Sequence, residues 1–166
     1  RLRAIVAALE RYQTDIHSVR CIGFCASVAH AQFMAEQFNA QGLPAACFVG
    51  ETINQDRVET LKKFRQGELS FLFTVDVLSE GADIPEVDTV LFLRPTDSLT
   101  VFLQQLGRGL RLHPGKECLT VLDFVGHLHK RYRVDRKFKA LLRRDRFNIV
   151  RELESGFPHL PAGCSI

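Results

Sequence analysis

Short runs of β-branched and aromatic residues alternate along this chain with stretches of helical periodicity, the pattern of an α/β fold built on a parallel sheet. Leu2, Ile5, Val6 and Leu9 fall at i, i+3, i+4 and i+7 and predict an amphipathic leading helix. The run 19–26 reads as a buried strand, with Ser27 as the N-cap of a helix reaching about Asn39. Gly42 and Pro44 precede a short strand over 45–49. A polar helix over 55–65 follows, with Val58, Leu61 and Phe64 inward and Gly67 as its stop. Strands are expected over 69–75 and 87–93, separated by a Gly-containing loop over 79–86. Pro95 breaks the chain before a helix carrying Leu99, Phe102, Leu103 and Leu106, a strand over 119–124 closes the sheet, and a long helix begins near His127. Right-handed crossovers between about five strands place helices on both faces of one mostly parallel sheet, a three-layer α/β architecture. In such sheets ligands collect beyond the carboxyl ends of the strands, so the loops after strands are where chemistry is expected.

Bulk properties narrow the class. With 166 residues, 46% hydrophobic and 25% charged, the composition is that of an ordinary globular domain and not of a disordered or fibrous chain. The longest apolar stretch, around 21–29, is far shorter than the roughly 20 residues of a membrane span, so no membrane is expected as a partner. The net charge of +3 hides an asymmetry: residues 130–151 carry ten Lys/Arg against two Asp (+8), leaving −5 for the rest. A segregated basic segment on an acidic body points to a polyanionic partner, and the plain alternative is the solvated face of a terminal helix. The five cysteines (Cys21, Cys25, Cys47, Cys118, Cys164) are odd in number and lie mostly in apolar, strand-like sequence. Cys21 and Cys25 have C-x3-C spacing without a second ligand pair, so no metal is expected, and a reducing, cytoplasmic compartment is. The opening Arg1-Leu2-Arg3, with neither an initiator Met nor a signal peptide, reads as the start of a piece excised from a longer chain.

Two loop segments stand out for their content. TVDVLSEGADIPEVD, Thr74 to Asp88, sits at the carboxyl end of an expected strand and carries Asp76, Glu80 and Asp83 together with Gly81. Acidic side chains there can accept hydrogen bonds from ribose hydroxyls and Gly81 allows close approach of backbone to a ligand, while a merely polar turn fits the same residues. In QQLGRGLR, Gln104 to Arg111, a helix continued past Gly107 would put Gln104, Arg108 and Arg111 on one polar face, opposite Leu99, Phe102, Leu103 and Leu106. Two guanidinium groups and an amide form a forked donor array suited to phosphate, and two solvated arginines are the plain alternative.

In order, the CAS strand end at Cys25–Ser27, the EGADIP loop, RPTDS and QQLGRGLR resemble the C-terminal RecA-like domain of superfamily 2 DEAD/DEAH-type helicases, most nearly the restriction-enzyme and excision-repair type, over roughly 20–126. The resemblance implies a three-layer RecA-like (P-loop NTPase-like) fold. It divides the chain into a leading helix or linker from a preceding lobe (1–18), the helicase C-terminal domain (19–126), a basic helical extension (127–155) and a tail or linker (156–166). It also implies roles. CASVAHA, 25–31, is similar to motif IV, with Ser27 at a helix N-terminus where backbone N–H groups can hold a nucleic-acid phosphate, although capping alone would also account for it. Residues 74–85 are similar to motif V: Asp83 falls on the ribose-contacting acid, Gly81 on the phosphate-side glycine, and Thr74 near the nucleic-acid-contacting threonine, in a register that departs from the ATD form. Gln104, Gly107, Arg108 and Arg111 are similar to motif VI, in which Arg108 and Arg111 contact the terminal phosphates of ATP and Arg111 is the arginine finger. Thr96 and Ser98 resemble small hydroxyl residues that touch the nucleic-acid backbone, Ser98 being equally placed to cap the helix that follows.

The sequence holds no G-x-x-x-x-G-K-[ST] and no Asp-Glu pair in DEAD or DEAH form. By the resemblance, ATP with Mg²⁺ is then held mainly by an N-terminal RecA-like lobe of the same parent chain, and this chain alone is not expected to hydrolyse it. Downstream, Val134, Phe138, Leu141 and Leu142 form an apolar stripe with Arg133, Arg136, Lys139 and Arg143 opposite, either a basic surface for nucleic acid or a dock for a further domain. The expected function is the second motor lobe of an ATP-dependent nucleic-acid helicase or translocase, with DNA favoured over RNA. The alternative is a non-catalytic nucleic-acid-binding module that keeps the fold without ATP coupling. A small doubly wound flavin- or nucleotide-binding protein is disfavoured, since no Gly-rich loop follows the first strand.

Overall fold

The computed structural model of the chain describes residues 2–13, 15–50, 54–75, 84–94, 116 and 118–124. Their elements are α1 (Leu2–Tyr12), β1 (Cys21–Phe24), α2 (Val28–Asn39), β2 (Ala45–Cys47), α3 (Asn54–Gln66), β3 (Phe71–Thr74), β4 (Thr89–Phe92) and β5 (Thr120–Asp123). The strands form one sheet in the order β2-β3-β1-β4-β5, every pairing parallel. Central β1 sets Cys21 opposite Phe71 of β3 on one side and Thr89 of β4 on the other. The helices expected around Leu99–Leu106 and beyond His127 lie outside the described residues.

Strand side chains alternate between faces, and both faces are covered, which is why the strands read as continuous apolar runs. On one face Cys21, Phe71, Phe73 and Leu91 pack with Ile5 and Leu9 of α1 and with Ala31, Met34, Ala35 and Phe38 of α2. On the other, Ile22, Phe24, Leu72, Val90 and Phe92 pack with Phe64 of α3. The three-layer α/β arrangement is therefore as expected. Gly23, midway along β1, lies opposite Phe73, and a Cβ there would come within 2.5 Å of the Phe73 ring. That ring fills the place of the missing side chain and meets Phe38 edge-on at 4.9 Å between centroids, while Phe38 meets Phe71 at 4.8 Å.

Two expectations need correction. The strands are shorter than the apolar runs, because Val19, Cys25, Phe48 and Val49 are buried by packing beyond the ends of the regular strands. Val58, expected inward, is 68% exposed. The face that α3 turns to the sheet runs through Arg57, Leu61 and Phe64, and Arg57 lays its guanidinium over the ring of Phe48 at 5.0 Å. A long Arg stem covers apolar surface as well as Val does, so α3 is set by Phe64 and not by the valine. Gly67 does end α3, with φ of +86 and the Arg20 guanidinium packed where a Cβ would stand.

At the amino ends of the strands Asp88 organises a polar cluster. Its carboxylate accepts the Arg20 N–H at 3.1 Å to each oxygen and the Thr89 hydroxyl at 2.7 Å, and Thr89 accepts from Gln13 Nε2 at 2.7 Å, tying the residue after α1 to β4. Burial pushes the Asp88 carboxyl upward, outweighing these hydrogen bonds and the charges of Arg20 and Lys116. The folded chain thus holds this proton to higher pH than the unfolded chain does. Stability must then fall as pH rises from the ordinary aspartate range through the raised value. Asp88→Asn is expected to remove that fall, so its thermal midpoint relative to the parent should improve from acid toward neutral pH. A constant difference across that range would exclude Asp88 as the responsible group.

Candidate functional site

Because all strands are parallel, their carboxyl ends share one edge of the sheet. Hydrogen bonds just past the strands hold that edge together: Phe48 N to Phe73 O at 2.8 Å, Cys25 N to Thr74 O at 2.7 Å, Leu93 N to Phe24 O at 2.9 Å and Phe124 N to Phe92 O at 2.9 Å. Between β1 and β4 the connections part, since the chain leaves β1 toward β2 on one side and proceeds from β4 to β5 on the other. A divergence of this kind opens a crevice at the carboxyl ends, the usual place for a ligand in an open α/β sheet.

Ser27 lies on that edge. It caps α2 from an extended conformation (φ −154, ψ 165), its hydroxyl accepting His30 N at 3.2 Å and its carbonyl accepting Ala31 N at 3.0 Å. Thr74 ends the neighbouring β3. Its side chain is fully buried, and its hydroxyl has no hydrogen-bond partner among the described residues. Next to Ser27, Cys25 is an inert core thiol: burial pushes it up to about 12, Cys47 adds to the rise, and the charge of Arg94 pulls it back. Arg94 is the first cation past β4. The edge thus offers N–H groups at a helix N-terminus and the exposed Ser27 hydroxyl, a combination that suits an anionic group.

The structure brings Ser27 and Thr74 to adjacent strand ends. Gly81, Asp83, Thr96, Ser98, Gln104, Gly107, Arg108, Arg111, Arg133, Arg136, Lys139 and Arg143 lie outside the described residues. Arg57 and Arg94 are cations at this edge that sequence reasoning passed over. Each had a signal: Arg57 holds the i−4 and i−7 places relative to Leu61 and Phe64, and Arg94 directly follows an apolar strand. Among the described residues no group of three His, Cys, Asp or Glu could hold a metal ion, and no helix is long and apolar enough to cross a membrane.

The family described as "Helicase conserved C-terminal domain" matches residues 3–113, two-thirds of the chain, starting inside α1. "Putative ATP-dependent helicase IRC3" of Saccharomyces cerevisiae is 35% identical over 98 residues, 59% of this chain and 14% of that protein. "Putative mitochondrial ATP-dependent helicase irc3" of Schizosaccharomyces pombe is 37% identical over 107 residues, 64% of this chain and 18% of that one. This chain thus spans less than a fifth of the length of either relative. Among solved structures, Mss116p DEAD-box helicase domain 2, bound to an RNA duplex, is similar with a TM-score of 0.59 at 25% identity over 74% of this chain and 47% of that one. The three-layer sheet is accordingly a RecA-like fold.

Proposed function

Since this chain belongs to the helicase conserved C-terminal domain family, we propose that it is the second motor lobe of an ATP-dependent helicase or translocase whose polymer is DNA in preference to RNA. The observation that supports this most directly is the carboxyl edge, where Ser27 starts α2 two residues after Cys25, whose N–H bonds the Thr74 carbonyl at the end of β3, the EGADIP segment following β3 in sequence. Nucleic-acid backbone is gripped there by Ser27, joined by Thr74 only where its buried hydroxyl becomes uncovered, with Thr96 and Ser98 following β4 in sequence. Arg57, held over Phe48, adds a cation beyond β2. Arg133, Arg136, Lys139 and Arg143 of the 127–155 extension carry the basic surface.

The donors assigned to nucleotide are Asp83 and Gly81 toward ribose and phosphate, Gln104 and Gly107 beside them, and Arg108 and Arg111 toward the terminal phosphates. A carboxylate for sugar hydroxyls and two planar forks for phosphate fit the chemistry of ATP carried with Mg²⁺ by an N-terminal RecA-like lobe of the parent chain. When bound, ATP supplies the phosphoanhydride whose cleavage drives the cycle. Arg108 and Arg111 hold charge on the terminal phosphates only while the lobes are closed, so loss of that charge releases the closed state and the grip of Ser27 alternates with it. The free thiols of Cys21, Cys25, Cys47 and Cys118 suit a reducing compartment, and the cytoplasm is the one proposed.

The test is hydrolysis of ATP by the full-length parent and by this chain alone, each with no polymer, with DNA and with RNA. Turnover is expected only from the parent, raised by nucleic acid and more by DNA. A parent that binds either polymer yet turns over no ATP would replace the motor reading with that of a non-catalytic binding module, and a parental rate that neither polymer moves would overturn the motor reading outright. Stimulation by RNA alone would reverse the choice of polymer.

A further inference from the structure

The first turn of any α-helix leaves four N–H groups without partners inside the helix. In α2 these are the N–H groups of Ser27, Val28, Ala29 and His30, of which one is used, His30 N by the Ser27 hydroxyl, while Ala31 N makes the first bond of the helix proper to the Ser27 carbonyl. His30 occupies the third helical position, where a capping box ordinarily places Glu or Gln so that the side chain reaches back to the N-cap N–H. Here the imidazole reaches one residue further, and His30 Nδ1 accepts the N–H of Ala26 at 3.3 Å. A ring nitrogen accepts only through a lone pair, so the bond to Ala26 requires Nδ1 to be the unprotonated nitrogen of the ring.

Two consequences follow for the turn. The Ser27 hydroxyl, having accepted from the backbone, keeps its own proton to donate. The N–H groups of Ser27, Val28 and Ala29 have no partner among the described residues, and Ala26, Ser27 and Ala29 are exposed. Among the described residues the His30 ring is the partner of the Ala26 N–H, so it adds a tie at the point where the backbone enters the helix, beside those of Cys25 N to Thr74 O and of the Ser27 cap.

We propose that His30 is the positioning residue of this turn: by tying Ala26 back onto α2, its imidazole holds the Ser27 hydroxyl and the N–H groups of Ser27, Val28 and Ala29 ready for one phosphate of a nucleic-acid backbone. The inference rests on the reading of Ser27 as a backbone contact. His30 touches no ligand itself. Its contribution is to order the donors before the phosphate arrives, which removes that ordering cost from binding.

The experiment uses the full-length parent and a labelled single-stranded DNA oligonucleotide, with Kd from anisotropy, KM for the oligonucleotide and kcat from ATP turnover, and thermal midpoints for every variant. His30→Leu keeps bulk without an acceptor, His30→Asn restores an oxygen near the Nδ1 place, and Ser27→Ala reports on the contact itself. His30→Leu is expected to raise Kd and KM roughly three- to tenfold with kcat at saturation unchanged, as befits one lost hydrogen bond, and His30→Asn to recover most of the loss. Should His30→Leu lower the thermal midpoint, His30→Ser, too short to reach Ala26, takes its place. Parental affinity in His30→Leu with weakened binding in Ser27→Ala overturns the role of His30 and leaves Ser27 in place. Parental affinity in Ser27→Ala removes the contact itself and the inference with it. Weak binding in both His30 variants shows that the ring serves by shape, and overturns its role as acceptor.

Discussion

Replacing Arg111 by Ala in the full-length parent is expected to lower nucleic-acid-stimulated ATP hydrolysis by about 10³-fold or more, the largest single effect anticipated for this chain. A finger of this kind acts on charge that grows as the terminal phosphoryl group departs, so its loss should fall on kcat and leave KM for ATP nearly unmoved. Arg111→Lys should restore little, because an ammonium cannot present the planar fork that a phosphate accepts from a guanidinium. Arg108→Ala, by contrast, should raise KM as well as lower kcat if that side chain also holds the ground-state nucleotide. Single-turnover kinetics at saturating nucleic acid separates these cases, and parental turnover by Arg111→Ala would remove the finger assignment.

Phe38→Ala is expected to destabilise the fold by about 3–5 kcal/mol, a large share of the roughly 5–15 kcal/mol typical of a domain. Phe38 is fully buried and meets the rings of Phe71 and Phe73 edge-on. Neither ring is free to move into the space it would leave: Phe71 is locked into register with Cys21, and Phe73 is seated over Gly23. The cavity would therefore persist, which places the cost at the upper end for a large-to-small change. Urea unfolding with an unchanged slope and a lowered midpoint is the expected record. A loss under about 1 kcal/mol would mean that the layer between α2 and the sheet collapses freely, contrary to the packing described.

Helices α1 and α2 were readable because their inward positions are filled by apolar residues at regular spacing, and Ser27 and Gly67 because capping and left-handed backbone have narrow residue preferences. Strand ends were harder. Phe48 and Val49 are as apolar as the residues of β2 yet lie past its ladder, and hydropathy does not register where hydrogen bonding stops. Arg57 escaped notice because a search for apolar periodicity does not count a guanidinium that lies on a ring, and Val58 was counted in its place. His30 escaped because its function depends on which imidazole nitrogen faces Ala26, a property of the ring's orientation and not of its residue type. The residues proposed to face nucleotide rest on a different kind of signal. Asp83, Arg108 and Arg111 are drawn mainly from the order and wording of segments, with helical periodicity adding only a shared face for Gln104, Arg108 and Arg111, and all of them lie outside the described residues.

The strand order has a consequence for the newly made chain. Among the described residues every ladder includes β3 or β4, and β1 and β2 stand one strand apart with β3 between them. A growing polypeptide that has reached only Gln66 has made two apolar strands that cannot pair with each other in their native places. They must wait for residues 71–74 to slide into the slot before any part of the sheet exists. Such long-range closure slows folding, and it leaves Cys21–Phe24 and Ala45–Cys47 as unpaired, adhesive segments during synthesis. A chain of which only the residues up to Gln66 have emerged from the ribosome therefore has helices but no sheet, and protection from a protease is expected first when residues 71–74 have emerged as well.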